Sequence, residues 1–196
     1  MKTKKQKFVL LTIFYFLITF LDLLLTYLSS PDLSLEGNPL VVNLKFGWFE
    51  LILINVITFA VYFAMAYYAY IKYKPPFSKE TTLKKYLADI TYDKPENAKM
   101  GMIRFPDKGH WSPQIACLCY SVSTALPIAR LIIVVEWYLI FNNIEAPLFF
   151  SIVQIFPFGR IDFFIAVFIA WGLSFVWIYK EFNQNKAKIS SLNTFC

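Results

Sequence analysis

The sequence predicts an all-α, polytopic membrane protein: a four-transmembrane-helix bundle with a short interfacial or re-entrant segment before the last helix. Three observations predict it. First, 58% of the 196 residues are hydrophobic and only 16% are charged, where a soluble domain carries about a quarter charged residues. Second, four apolar stretches, near 8–28, 49–71, 114–140 and 161–179, match the roughly 20 helical residues that cross a hydrocarbon core of about 30 Å. Third, the basic residues alternate in the way that orients such spans. Lys2, Lys4, Lys5 and Lys7 precede the first stretch, nine Lys and Arg lie from Lys72 to Lys108, and Lys180, Lys186 and Lys188 follow the fourth. The opposite segments, 29–48 and 142–160, hold only Lys45 and Arg160. The positive-inside rule then places both termini and the 72–112 loop in the cytoplasm of a multi-pass protein of the cell inner membrane. The whole chain, 1–196, reads as one membrane domain. The same distribution makes nucleic acid a poor explanation of the net charge of +6.

The first stretch begins at Phe8 and runs to Leu28. It is too long for the apolar core of a signal peptide and lacks a small-residue cleavage site, so it reads as an uncleaved span. Asn38-Pro39 then opens a candidate short helix over 39–45 at the outer surface. The third stretch contains Pro127, which predicts tilt or a kink, and Ser112-Pro113 supplies a candidate N-cap and first helical position. Ala146 to Phe158 is too short to span and is broken by Pro147 and Pro157, which suits an interfacial or re-entrant segment. In the loop, Leu83, Tyr86, Leu87 and Ile90 share a face of a short amphipathic helix. Lys79, Lys84 and Lys85 surround it, an arrangement expected to lie on an anionic inner leaflet or to dock a partner. Residues 183–196 read as a polar tail.

Chemistry is sparse. His110 is the only histidine, Cys117-x-Cys119 has neither redox nor zinc spacing, and no motif for a metal, a cofactor or nucleophilic catalysis occurs. No catalytic residue is assigned, and the balance leans away from an enzyme. The informative residues are polar ones inside the spans, because an ionisable group facing lipid is costly and marks function by default. Thr12, Tyr15, Thr19, Asp22 and Thr26 follow a 3-4-3-4 spacing and form one stripe of the first helix. Ser123 and Arg130, seven apart, share a face of the third. Asp22 lies about 21 Å along from Phe8, and Arg130 about 25 Å along from Pro113, at 1.5 Å per residue. Both helices run outward, so an Asp22–Arg130 pair in the outer half of the bilayer is expected. Glu36, Glu50, Glu136 and Asp162 gather at the same side with Arg160, while Asn55, Thr58 and Tyr62 line the second span.

Asp22-Leu-Leu-Leu-Thr26, followed by Glu36-Gly-Asn38-Pro39, resembles the D-x-x-x-T … E-x-N-P pattern of a family of small, uncharacterised prokaryotic membrane proteins. The resemblance covers the first third of the chain. It implies that Asp22, Thr26, Glu36, Asn38 and Pro39 belong to one site at the outer end of the first helix, and it implies no reaction. Size, topology and basic cytoplasmic regions are also similar to those of the small multi-span accessory proteins of type VI-B CRISPR systems. The candidate ligand-binding set is Asp22, Thr26, Glu36, Asn38, Arg130, Glu136 and Asp162. It is suited to a cation held by the carboxylates or to an anionic lipid head group held by arginine. Three roles fit: a non-catalytic binding or pore-forming accessory protein, with homo-oligomers as one form; an enzyme acting on lipid head groups; and a membrane anchor for a working cytoplasmic loop.

Overall fold

The computed structural model describes residues 3–35, 39–92, 111–144 and 161–193. All regular structure in them is helical, and four helices are long and apolar enough to cross a membrane. The chain is a multi-pass membrane protein. Glu36, Asn38, His110, Arg160, Cys196 and the 146–158 segment lie outside the described residues.

Helix α1 spans Lys4–Ser29. It starts a full turn before the apolar stretch because Thr3 and Gln6 form a capping box. Thr3 Oγ1 accepts from Gln6 N at 3.2 Å and Gln6 Oε1 accepts from Thr3 N at 2.9 Å, meeting two N–H groups that a helix start leaves without partners. Short α2 covers Pro39–Leu44, and α3 covers Trp48–Tyr67. A π-helical turn, Tyr68–Lys72, continues α3 and closes with Tyr73 N donating to Tyr68 O at 2.8 Å. Helix α4, Leu83–Thr91, lies in the basic loop; α5 spans Trp111–Phe141 and α6 spans Ile161–Asn193.

Helix α5 is central and touches α1, α3, α4 and α6. Its buried positions against α6 are small: Ala116 is fully buried, and Ser121 Oγ meets Ser174 Oγ at 2.9 Å. Small and hydroxyl side chains suit helices packed in lipid, where close approach and interhelical hydrogen bonds replace a hydrophobic drive. Helices α1 and α3 join through aromatics. Tyr15 and Tyr62 stack with ring centroids 3.9 Å apart, and Tyr62 OH donates to Leu11 O at 3.1 Å. The outward face of α1 is the reverse of a soluble helix: Leu10, Phe14, Leu17, Leu21 and Leu24 are exposed, while Thr19, Asp22 and Thr26 are buried. That inversion is what a lipid solvent requires.

Several boundaries and packings differ from the expectations of the sequence. Ser112 and Pro113 lie within the first turn of α5, which begins at Trp111, and the Ser112 hydroxyl is instead 3.2 Å from Tyr68 OH. Pro127 sits inside the uninterrupted α5 and is fully buried. Residues 183–193 are not a tail but the end of α6. Phe182 and Asn185 are buried there by the loop. The apolar face of α4 does not lie on lipid: Tyr86 and Ile90 are buried with Phe182 of α6. Reciprocal hydrogen bonds, Ser78 N to Asn185 Oδ1 at 3.0 Å and Asn185 Nδ2 to Ser78 O at 2.8 Å, fasten the preceding segment to α6. Protein contact wins because it satisfies these polar groups as well as burying the apolar ones.

At the α2 end, α5 closes in a Schellman motif. Ile144 N donates to Leu139 O at 3.0 Å and Asn143 N to Ile140 O at 3.1 Å, with Asn143 at φ 50°, a left-handed conformation that asparagine tolerates. The turn after α1 is organised by Asp32, whose Oδ1 accepts from Ser34 N at 3.1 Å and Ser34 Oγ at 2.8 Å. These bonds, the Ser34 hydroxyl first, hold the Asp32 carboxyl below its ordinary range. A lowered folded value means the stabilisation is complete above the ordinary carboxyl range and is lost as pH falls through the lowered value. Acidification below that value is therefore expected to lower the protection factor of the Ser34 amide, its exchange measured against the intrinsic rate at each pH; Asp32→Asn should abolish this pH dependence, and a profile unchanged by the substitution would refute the assignment.

Candidate functional site

Helix α1 presents Tyr15, Ile18, Thr19, Asp22, Leu25 and Thr26 to the bundle interior. The spacing leaves a polar ladder flanked by two aliphatic residues. Asp22 lies one turn from Thr26, whose Oγ1 donates back to the Asp22 carbonyl at 2.9 Å, a local bond that removes a hydroxyl from the apolar interior.

Across from it, Arg130 of α5 uses both terminal nitrogens. Nη1 donates to Asp22 Oδ2 at 2.5 Å, and Nη2 donates to Asn55 Oδ1 on α3 at 2.7 Å. The Asn55 amide is oriented by its other end, where Nδ2 donates to Leu51 O at 2.9 Å. The Tyr15 hydroxyl also lies within interaction range of the guanidinium. Three helices thus meet at one cation, and its charge is matched by one carboxylate. This arrangement answers the cost of desolvation, because a buried pair is tolerable only when its geometry is good and its remaining groups are hydrogen-bonded. The pair is not sealed: the Arg130 side chain keeps 16% of its surface accessible, against 8% for Asp22.

The sequence-derived residues divide clearly. Asp22, Thr26 and Arg130 come together. Glu136 is half-buried, six residues beyond Arg130 on α5; at 100° per residue it projects from a different face, about 9 Å further along. Asp162 is buried in the first turn of α6. Glu50 caps α3 by accepting from Gly47 N at 2.9 Å. Asn55 is the site residue outside the candidate set. It was one of several polar residues in the second span, and only the rotation of α3 turns it toward Arg130. Ser123 is fully buried on the Arg130 face, with its hydroxyl 3.3 Å from Tyr120 O. Thr12 and Thr19, on the α1 ladder, have buried hydroxyls without a hydrogen-bond partner.

Among the described residues no three His, Cys, Asp or Glu side chains gather as metal ligands. The fold and site together define a class, the multi-pass all-α membrane protein with a hydrogen-bonded ion pair buried between three helices. No family model, curated protein or solved structure matches the chain.

Proposed function

We propose that this is a non-catalytic membrane protein whose Arg130 site receives the anionic group, phosphate or carboxylate, of a lipid head group from the outer leaflet. The observation that carries the reading is the state of the guanidinium. It has five N–H donors in a planar fork; one bond each goes to Asp22 and Asn55, and part of its surface stays accessible. A guanidinium so held is pre-oriented for an oxyanion, and fixing it in advance reduces the ordering cost of binding. The same geometry disfavours a cation, because the Asp22 carboxylate is already engaged by Arg130. It also disfavours acid–base catalysis, which needs a titratable group free to exchange a proton with substrate.

The orientation follows from charge. Lys4, Lys5, Lys72, Lys74, Lys79, Lys84 and Lys85 are exposed at the α4 end, which supports a reading with that end in the cytoplasm and Arg130 in the outer half of an inner membrane. The exposed lysines on a docked α4 also favour a second reading, in which the loop is a fixed basic surface for a partner and the spans are its anchor. Loss of activity on deleting 78–108, with insertion intact, would support it.

The first reading is tested by titrating phosphatidylglycerol into the full chain in neutral detergent and following thermal unfolding, with inorganic phosphate as a parallel arm. Asp22→Asn, which removes the competing carboxylate, is expected to strengthen the lipid response. Arg130→Lys should weaken it about tenfold, because an ammonium cannot make a bidentate contact. A lipid response indifferent to both substitutions would overturn the proposal.

A further inference from the structure

At the opposite end of the bundle a second buried polar group stands apart from the Arg130 site. Glu181 of α6, Tyr73 just after the π-helical turn and Tyr86 of α4 are 4%, 5% and 1% exposed. Glu181 Oε2, the Tyr73 hydroxyl and the Tyr86 hydroxyl each lack a hydrogen-bond partner. Buried polar atoms are nearly always satisfied, so three orphans from three segments in one neighbourhood need an explanation.

Their packing brings them together. The Tyr73 ring lies against Trp177, one turn before Glu181, with centroids 5.6 Å apart, and the Tyr86 ring lies against Phe182 at the same separation. Burial first, and the Glu181 carboxyl next, raise both phenols, Tyr86 to about 12, so the carboxylate is within electrostatic range of each. Asn185, one turn after Glu181, clamps Ser78 through two hydrogen bonds. The segment between Tyr73 and Tyr86 is therefore pinned over the turn that carries the carboxylate. Lys4, Lys180 and Lys188 are the charged groups around it, and no ion pair joins any of them to Glu181 among the described residues.

We propose that Glu181, Tyr73 and Tyr86 form a binding site for a monovalent alkali cation. Oxygen donors suit a hard cation, and the lone carboxylate matches a single positive charge. A water molecule would satisfy the hydroxyls, but the carboxylate would still have no cation in direct contact, since Lys4, Lys180 and Lys188 act on it only from a distance. The bound ion joins three segments at the cytoplasmic-loop end and secures α4 to the spans. The inference is independent of the lipid reading, since it uses none of the same residues.

The test compares the full chain in neutral detergent with sodium, potassium or choline chloride at equal ionic strength, reading the unfolding midpoint and amide-exchange protection of α4. The expected result is a saturable gain with one or both alkali cations that choline, whose methyl groups keep its charge away from oxygen donors, does not give. Glu181→Gln should abolish the gain. Tyr86→Phe, which keeps the ring packing, should raise the cation concentration needed by about tenfold. Equal behaviour in choline, or a full response in Glu181→Gln, would overturn the site. Should Glu181→Gln fail to fold, Tyr73→Phe and Tyr86→Phe decide alone, and unchanged cation requirements in both would refute it.

Discussion

Replacing Asp22 with Asn, or Arg130 with Gln, is expected to cost about 3–5 kcal/mol each, because either change strands one member of a buried pair. The double variant should lose much less than the sum, with a coupling of about 2–3 kcal/mol. The reason is visible in the geometry. Arg130 stands between Asp22 and Asn55, so losing Asp22 leaves a cation with neutral partners, Asn55 and Tyr15, and no counter-charge. Losing both leaves neutral amides that can bond to each other. Equilibrium unfolding in bilayers or mixed micelles measures the cycle. Additivity within about 0.5 kcal/mol would mean that the two residues act independently. Asn55→Leu provides a graded control: it removes one acceptor from a charged donor without removing the counter-charge, so a loss of about 1.5–3 kcal/mol is expected.

The second large effect is expected at the other end of the molecule. Asn185→Ala removes both bonds to Ser78 and leaves a buried backbone N–H and C=O unmet, at about 1–3 kcal/mol for each group. That exceeds what a nine-residue helix such as α4 can supply by itself, since helices this short are marginal in water. The segment should therefore release as a unit, with α4 losing amide protection and becoming open to protease while the four spans remain folded. Protection of Leu83–Thr91 that is unchanged in Asn185→Ala would show that the apolar contacts of Tyr86 and Ile90 suffice. Because α4 is then free, the variant also shows whether the loop works only when docked.

Much of this was legible in one dimension, and the reason is the solvent. Lipid imposes length and composition on each span, so the four apolar stretches announce four helices without any knowledge of their packing. Periodicity adds the stripe Thr12, Tyr15, Thr19, Asp22, Thr26, and rise per residue sets Asp22 and Arg130 at similar depth. Asn55 could not be selected this way. Its helix also offers Thr58 and Tyr62, and which of them faces α5 depends on how α3 rotates when Tyr15 and Tyr62 stack. The extension of α6 past residue 179 was hidden for a similar reason. Residues 183–193 are polar in sequence, and the contact that fastens this stretch, Asn185 to Ser78, joins positions 107 residues apart. The same contact explains the burial of Glu181, which in sequence looks like an ordinary charge beside Lys180.

By itself, then, the sequence determined the number of spans, the asymmetry of charge across them and the face of α1 that must avoid lipid, because each is a local property of composition or spacing. Tertiary structure alone decided which polar residues meet, Asn55 with Arg130 and Ser78 with Asn185, and that α4 packs on protein instead of lipid. Those outcomes depend on relative rotation and on hydrogen bonds between distant segments, and no periodicity within a single helix encodes them.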